Sequence, residues 1–310
     1  MAKSKPTFSL PVTLAAEKIV SGQSKICAKR LKKYKSEDPE SLHDLRVELR
    51  RLRSYLRIFR LYLPESCKKE RKALEQLFQL SNKNRELDVH KAVLTSWLQE
   101  ESLNDDQRAA IESVLGYTQT KPASQLPPNF DKGVRAVLDD LNGKLKPSKN
   151  DAKAIYCHEF AVKVIENYGK RLEFFLNGMA ESNDALHKAR ITAKRLRYFI
   201  EVLELEAVEE AVAELKDWQS ELGDIHDLMV LEDFLYSVLL RLNESWLETS
   251  WKGETPPTTL PESIKQLFAL KDFVSQKQQA KREGLSQEKR AELLAKLEAS
   301  RLSLKALSQA

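Results

Sequence analysis

Two stretches of this 310-residue chain carry the same signature in the same order. Leu42 to Arg60 reads LHDLRVELRRLRSYLRIFR, and Leu186 to Leu203 reads LHKARITAKRLRYFIEVL. His43, Arg46, Arg50, Arg51 and Arg53 correspond to His187, Arg190, Lys194, Arg195 and Arg197 at one constant offset. Upstream, Lys18 and Lys25 are answered by Lys163 and Lys170 at nearly that offset. Downstream, NKNRELDV (82–89) is answered by GDIHDLMV (223–230). Landmarks repeated in order point to a duplicated helical unit. Each amphipathic helix must bury an apolar stripe, and a bundle is the smallest closed arrangement that does so. The expectation is an all-α chain of two similar four-helix bundles that face each other.

Composition supports the helical class, because glycine and proline number only 9 and 11 while strong helix formers dominate. Helical periodicity runs over 12–35, 41–63, 68–101 with a break near Ser81, 105–116 and 132–141, then over 152–176, 184–205, 209–248, 262–280 and 287–307. No segment alternates like a strand. Breaks fall at the proline-bearing 116–130, at NGKLKPSKN (142–150) and at KGETPPTTLP (252–261). The second break sets the expected boundary: a first repeat over 1–146, and a second over 147–310 that includes the C-terminal helices.

The net charge of +5 balances 51 Lys and Arg against 46 Asp and Glu, so function lies in how charge is distributed. At about 100° per residue, His43, Arg46, Arg50, Arg53, Arg57 and Arg60 share one sector of a helix. Leu45, Leu49, Leu52, Leu56 and Phe59 fill the adjoining one. A solvated face normally mixes signs, because opposite charges at i,i+4 stabilise and like charges destabilise by a few tenths of a kcal/mol each. This stripe has no interleaved acid, which a polyanionic ligand would explain. Lys18, Lys25, Lys29, Lys32 and Lys33 form a second stripe on the preceding helix, and the two are expected to flank a groove about 25 Å long. In the second repeat Glu201 and Glu204 replace Arg57 and Arg60, so the first repeat is expected to bind more strongly.

Arginine forks match phosphate oxygens bidentately, and lysine acts as a mobile point charge. Single-stranded nucleic-acid sites add aromatic platforms, yet Tyr55, Phe59 and Phe199 fall outside the basic sectors and only Tyr198 lies near one. That favours a phosphate chain without bases. A general polyanion or nucleic-acid-backbone binder would use the same side chains. In a purely structural scaffold, the arginines would meet Glu75, Glu86, Asp88, Glu221 or Asp227 on neighbouring helices. A metal held by His43 and His187 with His226 and Asp227 is disfavoured by the surrounding cations and the lack of ligand spacing. No phosphate loop, nucleophile elbow or zinc-protease pattern occurs, so neither catalysis nor a cofactor is expected. No apolar run reaches membrane-span length, and MAKSKPTFSL (1–10) lacks a signal-peptide core. These features predict a cytoplasmic protein that does not engage membranes. Cys27, Cys67 and Cys157 lie far apart and read as packed, reduced thiols.

The doubled LHxxRxxxxRxR pattern, His43-Arg46-Arg51-Arg53 and His187-Arg190-Arg195-Arg197, followed by NRELDV and LGDIHDLMV, resembles the CHAD family, the conserved histidine α-helical domain. The likeness spans about residues 10–280. It implies two antiparallel four-helix bundles related by pseudosymmetry, with basic surfaces around a central cavity that binds inorganic polyphosphate, and association with polyphosphate granules. Carried over by position, the implied set is Lys18, Lys25, Lys29, His43, Arg46, Arg50, Arg53, Lys163, Lys170, His187, Arg190, Lys194 and Arg197. Lys33 and Arg57 join it from the stripes, and Arg51 and Arg195 join it while pointing nearer the bundle side. Asn82, Arg85 and Glu86 stand where Gly223, His226 and Asp227 stand in the second copy, so that third motif is expected to form structural ion pairs. No E-x-E-x-K strand of a triphosphate tunnel enzyme is present, so the likeness is to the stand-alone helical domain.

Overall fold

The structure, a computed structural model, describes residues 7–35, 38–100, 102–120, 126, 129–145, 155–179, 182–253 and 261–307, with the side chains of 39, 82–88 and 119–120 left aside. Among the described residues there are eleven α-helices and no strand: α1 (Val12–Lys33), α2 (Pro39–Ile58), α3 (Lys68–Leu80), α4 (Asn82–Trp97), α5 (Asp105–Thr120), α6 (Phe130–Lys144), α7 (Cys157–Gly178), α8 (Asn183–Glu201), α9 (Glu209–Trp251), α10 (Glu262–Glu283) and α11 (Gln287–Leu307). The chain is all-α, as its periodicity predicts. The expected break near Ser81 is the junction of α3 and α4. Arg60, placed in the helical stripe by its spacing, lies in a turn beyond the end of α2.

Two compact units form: residues 1–82, 126–220 and 287–310 in the first, 83–125 and 221–286 in the second. Each draws on both sequence repeats, while the expected boundary at 146/147 falls in 146–154, outside the described residues.

The first unit gathers both signature helices, and sequence explains why they start where they do. Asp38 caps α2 by accepting from the Glu40 N–H at 3.0 Å, with Pro39 opening the helix. Ser182 caps α8 by accepting from the Ala185 N–H at 3.3 Å. Such caps contribute about 1 kcal/mol each. Side chains recurring at three and four residues then bury one face of each: Leu45, Leu49, Leu52, Leu56 and Phe59 on one, Leu186, Ala189, Ala193, Leu196 and Phe199 on the other. Helices α1 and α2 pack together, as do α7 and α8, and α2 also packs on α8. Phe59 lies 5.7 Å from Phe199, and Phe160 of α7 sits 5.4 and 5.8 Å from them. A short antiparallel bridge joins the starts of α1 and α7, with Val12 N–H donating to Ile155 O at 2.9 Å and Cys157 N–H to Leu10 O at 2.8 Å. The three cysteines are buried free thiols, and burial pushes Cys27 and Cys157 up to about 12.

The second unit has its own core, in which Leu94 and Trp97 of α4, Ile111 and Val114 of α5, Leu231 and Leu235 of α9, and Leu270 and Phe273 of α10 close together. His90 is buried in this unit, 4.9 Å from the Phe234 ring. Burial lowers its pKa to about 4. Because the folded value lies below the usual 6.5, the neutral ring is favoured by folding, and stability is lost as pH falls from about 6.5 towards 4, by up to about 3 kcal/mol. We expect urea unfolding of the wild type to weaken across that window, and His90→Phe to flatten the dependence. An unchanged slope would show that His90 does not drive it.

Candidate functional site

Most of the cationic residues predicted from sequence fall into three overlapping environments in the first unit. The exposed group contains Lys18, Lys25, Lys29 and Lys33 on α1, Arg57 on α2, and Lys163 and Lys170 on α7. Lys170 pairs with Glu166 one turn away at 2.7 Å. The others in this group make no ion pair among the described residues. Helix α1 is fixed to α2 by the acids that α2 does carry: Arg30 donates to Asp44 at 2.7 Å, and Gln23 donates to Glu48 at 2.8 Å. These contacts turn Asp44 and Glu48 towards α1.

A second group is held side-on by aromatic rings. The guanidinium carbons of Arg46, Arg50 and Arg53 lie 5.0, 5.5 and 4.4 Å from the centre of the Phe78 ring of α3. Arg51 and Arg197 lie 5.2 and 4.7 Å from the Tyr198 ring. Cation–π contacts of this kind contribute about 0.5–2 kcal/mol. Sequence reading missed Phe78, since it stands on a different helix and its own spacing shows only a core position.

Polar groups from neighbouring helices hold the third set, which overlaps the second. Arg46 is only 4% exposed. It donates to the Ser81 hydroxyl at 2.7 Å and to the Ser81 carbonyl at the end of α3. Arg53 pairs with Glu75 at 3.0 Å. Arg197 donates to Gln219 at 2.9 Å and to Glu201 at 3.1 Å, and Glu201 also meets Arg51 at 3.5 Å. The scaffold reading thus describes part of the stripe, with Glu75 serving as one of its acids. The side chains of Arg85, Glu86 and Asp88 lie outside those described, so the third motif is seen only through its second copy.

Where α2 meets α8, cations of the two repeats are brought together. Arg195 sits near enough to Arg57 and Arg53 for their charges to depress its pKa, behind burial as the larger cause, to about 10. Burial likewise lowers Arg53, with Glu75 opposing and Arg50 and Arg57 adding to the depression. Arginines keep their charge at neutral pH, so three like charges meet here, with Glu75 paired to Arg53. His187 is lowered by burial and then by Arg190 and Lys194, against Asp184. His43, Arg190 and Lys194 are half-buried on the same two helices. No cluster of three His, Cys, Asp or Glu side chains able to hold a metal occurs among the described residues. No helix among them is long and apolar enough to cross a membrane.

A CHAD domain profile matches residues 24–236, and the chain belongs to the CHAD domain family. The fold is similar to the crystal structure of the CHAD domain from the plant Ricinus communis, with 20% identity and a TM-score of 0.58 over 90% of this chain and 92% of that one. It is also similar to PptA from Streptomyces chartreusis, with 14% identity and a TM-score of 0.59 over 97% of this chain and all of that one, 100%. Identities this low speak for the fold alone. Among curated proteins no sequence matches.

Burial of Arg46 gives it a structural task. Replacing it with Ala removes charged hydrogen bonds to Ser81 and is expected to cost about 1.5–3 kcal/mol, measured by urea denaturation. Arg46→Lys is expected to recover only part, because an ammonium lacks the planar fork.

Proposed function

We propose that the protein binds inorganic polyphosphate through the cationic face of its first unit and performs no chemistry on it. The observation that carries this reading is the convergence of Arg53 and Arg57 from α2 with Arg195 from α8, where burial first, and then the charges of Arg57 and Arg53, lower the Arg195 pKa. Such crowding costs free energy in the unliganded protein and is relieved by a dense anion. Membership of the CHAD family supports phosphate chains as that anion. On this reading Lys18, Lys25, Lys29 and Lys163 add mobile contacts, and His43, Arg50, Arg190 and Lys194 complete the set. In the cell the protein would be recruited to polyphosphate granules.

A base-containing polymer is disfavoured by the state of the aromatic rings. Phe78 and Tyr198 are 7% and 2% exposed and lie beneath guanidinium groups, so neither offers a face for stacking. Competition of long-chain polyphosphate against single-stranded RNA and duplex DNA, at matched phosphate, near-physiological salt and with EDTA, is expected to show preference for polyphosphate. Affinity should fall with salt by a log–log slope of about 0.7–0.9 per neutralised phosphate. Equal binding of all three polymers would reduce the protein to a general polyanion binder.

His187 supplies a second check. A bound polyanion stabilises its protonated form, so its depressed pKa should rise on binding. Affinity should therefore strengthen as pH falls through the range in which His187 takes up its proton. Imidazole resonances followed by NMR with and without polyphosphate report this directly. An unmoved His187 titration would place the ligand elsewhere.

A further inference from the structure

Arg53 and Arg197 occupy corresponding positions in the two repeats, and each contacts a side chain 22 residues further on. The partner of Arg53 is an acid, Glu75, at 3.0 Å; the partner of Arg197 is a neutral amide, Gln219, at 2.9 Å. The contact 22 residues on is thus built with a negative charge in one repeat and without it in the other, where the carboxylate partner of Arg197 is instead Glu201, one turn along its own helix at 3.1 Å. We propose that Glu75 is a built-in counter-ion of Arg53 that a bound polyanion displaces, so that this carboxylate sets the affinity threshold of the site. The proposal rests on the polyphosphate reading.

Exposure and geometry distinguish Glu75 from a structural ion pair. Its side chain is 49% exposed and that of Arg53 is 23% exposed, the regime in which a pair contributes little and competes with solvent ions. The Glu70–Lys144 pair of the same unit is the contrast, with Glu70 only 3% exposed, at 2.5 Å, and with Lys144 also donating to the Ser66 carbonyl at 3.2 Å. Removing Glu75 from Arg53 leaves the guanidinium over the Phe78 ring at 4.4 Å. Arg57, one turn along, is exposed without an ion pair among the described residues. A ligand that engages Arg57 thereby gains Arg53 by exchanging one carboxylate for one phosphate.

Such an exchange discriminates by charge density. A short phosphate has to displace Glu75 with few other contacts to offset the loss, whereas a long chain already engages neighbouring cations. Glu75 would therefore select against small anions.

The test compares wild type, Glu75→Gln and Gln219→Glu for binding of long-chain polyphosphate and of tripolyphosphate, with thermal midpoints measured alongside. Glu75→Gln is expected to tighten long-chain binding by about three- to tenfold, and tripolyphosphate binding by a larger factor. Gln219→Glu is expected to weaken both. Glutamine already serves at 219, so the first variant should keep its fold. Binding unchanged or weakened in Glu75→Gln, with or without a lower midpoint, would overturn the proposal while leaving polyphosphate binding intact. Absence of polyphosphate binding in wild type and variant alike would remove the underlying reading and this proposal with it.

Discussion

Apolar packing between α2 and α8 forces together groups that repel each other. Phe59 and Phe199, with Phe160 against both, lock the helices at one end of their contact. Each of the leucines buried along α2 contributes about 1.5–3 kcal/mol, which places the apolar face on the order of 10 kcal/mol before entropy. Like charges at helical spacing oppose this by only a few tenths of a kcal/mol each. The core therefore wins, and Arg53, Arg57 and Arg195 are held close with Glu75 as the acid paired to one of them. On the proposed function, an affinity for anions would be the counterpart of that crowding.

The stripe is not uniform once folded. Arg46 is a structural group that ties α2 to the end of α3 through Ser81, and Arg51 and Arg197 share Tyr198 and Glu201. The exposed lysines of α1, Lys163 of α7 and Arg57 make no ion pair among the described residues. The proposed site would be graded, with guanidinium groups over the Phe78 and Tyr198 rings and exposed ammonium groups on α1 and α7. Rigid donors give geometry at low entropic cost, while flexible lysines adapt to a polymer with no fixed shape.

Much of the fold was legible because helical periodicity is local. Helices α1, α8, α10 and α11 fall within a few residues of where spacing places them, and the break at Ser81 appears where the pattern faltered. The apolar period outruns the end of α2, since Phe59 keeps it after the backbone has left the helix; burial depends on where a side chain points, not on the helix continuing. The compact units draw on both repeats, which a linear reading of the chain has no means of foreseeing.

For the site, sequence alone determined which residues carry charge, that they share helical faces, and that the pattern recurs, because these follow from residue identity and a 100° turn per residue. It also drew the resemblance that the family match bears out. Only the tertiary structure decided which arginines are spent on the protein itself. Phe78, Ser81, Glu75 and Gln219 reach the stripe from other helices, so their contacts depend on packing between segments far apart in sequence. Tertiary structure likewise set Arg195 against Arg57 and Arg53. A charge pattern is written along one helix, but the potential it creates is a sum over neighbours in space.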